Sequence, residues 1–182
     1  MKNQKLKYPE VGWMEERFQV QVLNDDVCEF EWIMQSGGSV PEHLHKDSDE
    51  YFKVLEGEVT FKVNGKTIIG KPGFEITIPK MALHSVSNKS SERIKCKVVY
   101  SPVADQGEFF QILFFLSEKN PNDKSAMFKA MYISNQMKFR EFSTLNGGVK
   151  FFINLILYFF RVFAPISGLN KLLKEYQSKT NH

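Results

Sequence analysis

The feature that most constrains the fold is a series of short alternating segments between Trp13 and about Ser101. Every second residue is apolar in 27–35, 59–63, 74–78 and 94–100. This alternation predicts half-buried strands, because successive side chains of a strand point to opposite faces. Turn signals separate the segments, and the strongest is Asn64-Gly65, a pair typical of a two-residue hairpin. Eight or more short strands at this spacing predict an antiparallel barrel or sandwich.

After Pro102 the apolar period changes from that of strands to that of helices. Apolar residues follow at i, i+3, i+4 and i+7 from Phe109, which predicts a helix that ends near Asn120. Asp105 and Glu108 have the spacing of an N-cap and its capping box. Further helices are predicted from Ser125, over 150–164 after a break at 146–148, and over 169–176. We therefore divide the chain into a β domain, 1–104, and a helical extension, 105–182, which packs on the barrel or on a partner subunit.

The two regions also differ in composition. Residues 1–104 hold 14 Lys and Arg against 15 Asp and Glu, whereas residues 105–182 hold 10 against 6 and carry 12 of the 17 phenylalanines. The whole chain has a net charge of +3 and no basic stripe with interleaved aromatic residues, so we expect no nucleic-acid partner. Cys28 and Cys96 are far apart and are interpreted as buried strand thiols. With no apolar signal segment at the N-terminus, they favour the cytoplasm.

Three of the four histidines fall within one stretch of about forty residues. His43 and His45 are two apart, so a strand would place both on one face, and Glu50 follows five residues later. Two imidazoles and a carboxylate brought together are ligands for a divalent transition metal. His84 is a fourth candidate ligand.

Two motifs in this stretch resemble the motifs of the cupin superfamily. Gly37-x5-His43-x-His45-x4-Glu50-x6-Gly57 is similar to the first motif at every position. Gly73-x5-Pro79-x-Met81-x2-His84-x3-Asn88 is similar to the second, with Met81 where a glycine is usual. Because that glycine is a turn residue and not a ligand, its replacement leaves the metal prediction intact.

The resemblance implies a mainly β fold, a cupin-type antiparallel β-barrel (jelly roll), followed here by the helical extension. It also implies that His43, His45, Glu50 and His84 meet on one metal inside the barrel. Three imidazoles and a carboxylate suit Fe, Mn, Ni, Zn or Cu, and the sequence does not choose among them. Such an ion keeps coordination positions for water, substrate or dioxygen.

Parity predicts which side chains surround this site. No arginine or lysine of the strands falls on an inward position, which disfavours a phosphorylated or dicarboxylate substrate. A small, rather apolar molecule fits better. Glu50 and Tyr100 are weak candidates for acid–base catalysis, since no further histidine is at hand. The predicted substrate pocket comprises Phe30, Trp32, Met34, Phe52, Phe61 and Ile76.

The most apolar stretch, 151–160, lies between Lys150 and Arg161 and is too short to span a membrane. We interpret it as a helix that packs on the barrel or in a subunit interface, which favours a homodimer. A flat contact of 150–164 with a membrane surface is the less favoured alternative. The helices also offer a lid over the barrel mouth.

The preferred function is that of a metal-dependent enzyme acting on a small, mostly apolar molecule, as a dioxygenase-like oxidoreductase before an isomerase or lyase. The reaction type rests on family analogy alone. The alternative is a non-catalytic cupin module that binds or senses a small ligand.

Overall fold

The computed structural model describes residues 8–13, 16–137 and 147–180. Two antiparallel sheets carry the β region. The first has the order β1-β2-β3-β10-β5-β8, and the second has the order β4-β9-β6-β7. The strands are β1 (Val11–Trp13), β2 (Glu16–Leu23), β3 (Cys28–Met34), β4 (Ser39–His43), β5 (Asp49–Glu56), β6 (Val59–Val63), β7 (Lys66–Gly70), β8 (Glu75–Ile78), β9 (His84–Ser87) and β10 (Ile94–Ser101).

The predicted antiparallel β architecture is confirmed, with ten strands among the described residues. The inner faces of the two sheets pack against each other, as the Phe52 and Phe61 rings show at a centroid distance of 5.2 Å. No ladder joins the two sheets within the described ranges, so the β region is two packed sheets rather than a continuously hydrogen-bonded barrel.

Strand parity determines the core. In β3 the four alternate residues Cys28, Phe30, Trp32 and Met34 are all buried, while the residues between them are half-buried. The outward glutamates of this strand pair with lysines of β10: Glu29 with Lys97 and Glu31 with Lys95. The prediction that Lys95 and Lys97 point away from the core is therefore confirmed.

Two turns of the β region use the left-handed backbone conformation. Asn64 and Gly65 have φ of 46° and 81°, the two positive values that a type I′ hairpin requires. Met81 has φ of 66° and is 62% exposed. A glycine at Met81 would adopt this conformation without steric cost, which explains why the glycine position of the resembled motif falls here.

Four helices follow the sheets: α1 (Ala104–Lys119), α2 (Ala126–Gln136), α3 (Gly147–Ser167) and α4 (Leu169–Thr180). The predicted capping box is wrong: α1 already begins at Ala104 after Val103, no side chain caps it, and Asp105 lies in its first turn. Gly147 and Gly148 begin α3 instead of breaking the chain before it, and α4 runs four residues beyond its predicted end.

The first helix packs on the sheets and not only on other helices. Its Phe110 ring lies 5.9 Å from Phe18 of β2 and 4.9 Å from Phe30 of β3, centroid to centroid. Phe115 contacts Tyr176 of α4 at 5.4 Å. Because it is enclosed in this way, α1 has eight buried residues: Gly107, Phe109, Phe110, Ile112, Leu113, Phe114, Phe115 and Leu116.

The third helix has a second apolar face that the described part of the chain leaves uncovered. Its exposed large side chains are Phe151, Leu155, Tyr158, Phe159, Val162, Phe163 and Ile166, the last of them 82% exposed. Among the described residues no single helix is long and apolar enough to cross a membrane. The two helical segments Asn154–Ser167 and Leu169–Lys179 meet at an angle of 88°. Taken together they are long and apolar enough to cross a membrane, judged by length and composition alone.

Candidate metal centre and cavity

The four candidate ligands meet at one end of the space between the sheets. His43 ends β4, His84 begins β9, and the two are paired across the ladder of these strands. His45 follows β4 in a loop, and Glu50 belongs to β5 in the opposite sheet. All four are buried, and one donor atom from each lies within 4.8 Å of the other three.

The donor distances fit a single small cation. Glu50 Oε2 lies 2.9 Å from His84 Nε2 and 3.5 Å from His45 Nε2. Two ligands about 2.1 Å from one ion, at roughly 90–110°, stand about 3.0–3.4 Å apart. The geometry therefore matches a shared metal ion at least as well as a direct hydrogen bond.

Backbone oxygens set the tautomers of two histidines. His43 Nδ1 lies 2.7 Å from the Pro41 carbonyl oxygen, and His84 Nδ1 lies 2.9 Å from that of Ala82. A carbonyl oxygen only accepts, so each Nδ1 carries the hydrogen and donates. This leaves the Nε2 lone pair of both rings directed at the centre, as metal-binding histidines require.

The structure contains two polar features that a metal would resolve. His84 Nε2 and Glu50 Oε2 face each other with lone pairs at 2.9 Å, a repulsive arrangement unless a proton or a metal lies between them. His45 Nε2 is buried and has no hydrogen-bond partner. Buried polar atoms without partners are rare and costly, so the residues present fit a metal ion here.

Electrostatics hold two of the candidate ligands in metal-binding protonation states. Burial by itself would raise the pKa of Glu50, but the neighbouring His45 and His84 imidazoles hold that pKa well below its usual range. Burial and the neighbouring His84 lower the pKa of His43 to about 4. Near neutral pH the Glu50 carboxyl is thus ionised and the His43 ring is neutral.

A residue from the helical region touches this centre. The side-chain nitrogen of Gln106, in the first turn of α1, lies 3.1 Å from His45 Nδ1. In this arrangement the Gln106 N–H donates to Nδ1, which places the ring hydrogen on Nε2. A half-turn of the amide brings its oxygen to Nδ1, and the ring then donates from Nδ1 and presents the Nε2 lone pair to a metal.

A cavity of about 340 Å³ begins at three of the four candidate ligands, His43, His45 and Glu50, and is lined on its other side by the helices. Its polar lining consists of Glu16, Ser39, the ligands His43, His45 and Glu50, Tyr100 and Gln106, and none of the described lining residues is a lysine or arginine. The sheets contribute apolar side chains, and so do the three helices α1, α2 and α3. The helical lining is Phe109, Phe110, Leu113, Met127, Phe128, Met131, Ile156 and Leu157.

The predicted pocket residues divide into two groups. Phe30, Trp32 and Phe52 line the cavity, and so does Tyr100, whose ring lies 5.1 Å from that of His45. Met34, Phe61 and Ile76 do not line it. Met34 and Phe61 are fully buried in the core, and the half-buried Ile76 packs against that core. Inward parity predicts burial, but it does not distinguish the core from the cavity wall.

Sequence reasoning missed Glu16, Gln106 and the apolar lining from the helices. Glu16 shares its parity with the inward Phe18 and Val20, so the signal was present in the alternation of β2. Gln106 follows β10 closely, and Tyr100 near the end of β10 pairs with Glu50. The chain therefore leaves the sheet beside the ligands. His182 lies outside the described residues.

The family comparison concerns the β region. A family model described as "Cupin domain" matches residues 30–100. KdgF from Halomonas sp. superimposes with a TM-score of 0.50 at 15% identity, over 55% of this chain and 93% of that chain.

Two further solved structures are similar. The polyketide cyclase RemF from Streptomyces resistomycificus has 22% identity and a TM-score of 0.48, over 56% of this chain and 80% of its own. The Cnp3 cupin domain of Schizosaccharomyces pombe has 17% identity and a TM-score of 0.48, over 52% and 69%.

No curated protein matches the chain. At these identities the structural likeness concerns the fold alone. The family match, together with the buried cluster of three histidines and a glutamate, leads to one conclusion: residues 30–100, within the β region of this protein, form a cupin domain.

Proposed function

We propose that this protein is a metal-dependent cupin enzyme that acts on a small, mostly apolar organic molecule, with dioxygenase-like oxidation preferred over isomerisation or lyase chemistry. The observation that carries the proposal is the cluster of four donors, three of which line one end of a largely apolar cavity. A ligand in that cavity would contact the donor cluster on one side and aromatic side chains on the other.

His43, His45, Glu50 and His84 would hold one divalent transition metal. Such an ion, when bound, supplies Lewis acidity or, if it is redox-active, oxygen chemistry at its remaining positions. The chain's own residues do the rest. The apolar walls exclude water and orient an apolar substrate, and Gln106 fixes the His45 ring. Tyr100 and Glu50 are the groups near enough to the centre to move a proton.

Metal analysis of the purified full-length protein tests the proposal. We expect about one transition-metal ion per chain in the wild type and almost none in His45→Ala, with the far-UV circular dichroism of the two proteins unchanged. His182→Ala is the matched control and should retain the metal. Equal metal content in the wild type and His45→Ala would refute the ligand assignment.

The identity of the metal separates the reaction classes. Iron that restores oxygen consumption with a small aromatic or enolic substrate supports the dioxygenase-like chemistry. Zinc as the sole bound metal contradicts oxidation and leaves isomerase or lyase chemistry. Tight binding of small apolar ligands without turnover under any metal would instead identify a binding or sensing module.

We further propose that the protein is a cytoplasmic homodimer. Cys28 and Cys96 are both free and buried, and burial raises the pKa of each thiol to about 12, which suits a reducing compartment. The exposed apolar face of α3 offers a surface for a second copy, since patches of this kind usually mark interaction sites.

Light scattering coupled to size exclusion tests the dimer. Phe159→Ser and Ile166→Ser together should convert a dimer into a monomer, while Asn154→Ser, also exposed on α3, should not. A wild-type protein that is monomeric and sediments with anionic vesicles would replace the dimer by a membrane-surface contact.

A further inference from the structure

One carboxyl group of the cavity wall has no part in the metal centre. Glu16 begins β2, is half-buried and lines the cavity. Its Oε2 accepts a hydrogen bond of 3.2 Å from the Trp32 indole nitrogen, itself a cavity residue. No ion pair to Glu16 occurs among the residues that the structure describes.

Glu16 and the metal ligands lie towards opposite ends of the first sheet. At one end of β3, Cys28 pairs with Tyr100 of β10, and Tyr100 pairs in turn with Glu50 of β5. At the other end of β3, Met34 pairs with Glu16 of β2. Six residues of a strand separate Cys28 from Met34, or roughly 20 Å between backbone positions at about 3.3 Å per residue. The side chains reach inward from both ends, and Phe18, Phe30 and Trp32 form apolar wall between them.

An ionised carboxylate in this position is unfavourable without a positively charged partner. Burial raises the pKa of Glu16 to about 7, although the Trp32 hydrogen bond acts in the opposite direction. The described cavity lining offers no lysine or arginine to balance its charge. The titratable groups that share the cavity are His43, His45, Glu50 and Tyr100, and they surround the metal centre at the far end.

We propose that Glu16 is a second recognition point of the cavity, which pairs with the ammonium group of an amphipathic amine whose hydrocarbon part lies against Phe18 and Trp32. This inference rests on the proposed function only in using the same cavity, and it narrows the substrate class to amines. A cation placed beside Glu16 in apolar surroundings gains more from the charge pair than it would in water. The metal centre then meets the opposite end of the ligand.

Calorimetric titration with three probes of equal chain length, n-octylamine, octan-1-ol and octanoate, tests the proposal. Wild-type protein should bind octylamine at least tenfold more tightly than octanol, and octanoate most weakly. Glu16→Gln should abolish the preference for the amine and leave the octanol affinity unchanged. Glu31→Gln, which removes an outward carboxylate from the neighbouring strand, should keep the preference.

Two further variants make the outcome decisive. Glu16→Asp withdraws the carboxylate by one methylene and should reduce the preference, which serves as the test if Glu16→Gln does not fold. His45→Ala should retain octylamine binding, because an amine held by the metal would be lost with it. Equal affinities of wild type for amine and alcohol, or unchanged amine binding by Glu16→Gln, would overturn the proposal while the metal analysis still stands.

Discussion

The two regions of this protein relate sequence to burial in different ways. In β3 every second residue of the sequence is apolar, and the same residues are the buried ones. In α1 eight residues are buried with little regard to one face, because the helix lies between the sheets and α4. In α3 large apolar side chains are exposed although the helix also lines the cavity. A strand's surroundings are set by its period, whereas a helix's surroundings depend on what packs around it.

The difference matters because the cavity needs both regions. The sheets supply the candidate ligands, and the helices supply one hydrogen bond to them and an apolar wall. The following four variants probe that division, in order of decreasing expected effect.

Phe110→Ala probes whether the two regions form one cooperative unit. Phe110 is buried against Phe18 and Phe30, so its loss should destabilise the protein by about 3–4 kcal/mol. Chemical denaturation followed by circular dichroism measures the change. Phe151→Ala, at an exposed position of α3, is the control and should cost under about 0.5 kcal/mol. Two separate unfolding transitions in the variant would show that the helices unfold independently.

Gln106→Ala probes the reach of the helices into the metal centre. Loss of a hydrogen bond to a metal-binding histidine typically weakens metal affinity by about 10–100-fold. Competition with a chromophoric chelator measures the dissociation constant of the metal. Gln111→Ala, an exposed glutamine of the same helix, should leave it unchanged. Identical affinities for both variants would confine the metal centre to the sheets.

Glu16→Gln probes the carboxyl group at the other end of the cavity through the pH dependence of stability. The folded-state pKa of about 7 lies above the ordinary glutamate value of 4.5, so the folded state favours the neutral carboxyl. The contribution of Glu16 to the free energy of unfolding is therefore largest below pH 4.5, where the carboxyl is neutral. It is lost as the pH rises through 7 and the buried carboxyl ionises. The permanently neutral amide avoids this loss.

The variant should therefore be more stable than wild type by about 1–3 kcal/mol at pH 8 and equal to it at pH 4. Thermal unfolding of both proteins across this range measures the difference, and Glu31→Gln controls for the removal of a surface charge. A stability difference that does not change with pH would mean that Glu16 titrates normally in the folded state.

Met81→Gly probes the one position at which the second cupin motif departs from its usual residue. A left-handed conformation costs a residue with a side chain about 1–2 kcal/mol, and the entropy of the unfolded glycine returns about half of this. We expect a net stabilisation of about 0.5 kcal/mol by denaturant titration. Lys80→Gly, the exposed neighbour, should be destabilising instead. Destabilisation of both would assign Met81 a contact that outweighs its backbone strain.

The sequence by itself determined the β architecture, the inward set of β3 and the four candidate ligands. Strand parity and the spacing of two motifs are local properties, and local spacing survives in any fold that uses those strands. The sequence also placed Glu16 on the same strand face as Phe18 and Val20, but it did not indicate that Glu16 lines a cavity.

Only the tertiary structure decided which inward residues line the cavity and which fill the core. Phe52 and Phe61 have the same inward parity and their rings touch, yet Phe52 faces the cavity and Phe61 does not. The same holds for Gln106, whose contact with His45 spans 61 residues of sequence. Enclosure of a cavity is a property of all the surfaces around it, and no single strand or helix contains that information.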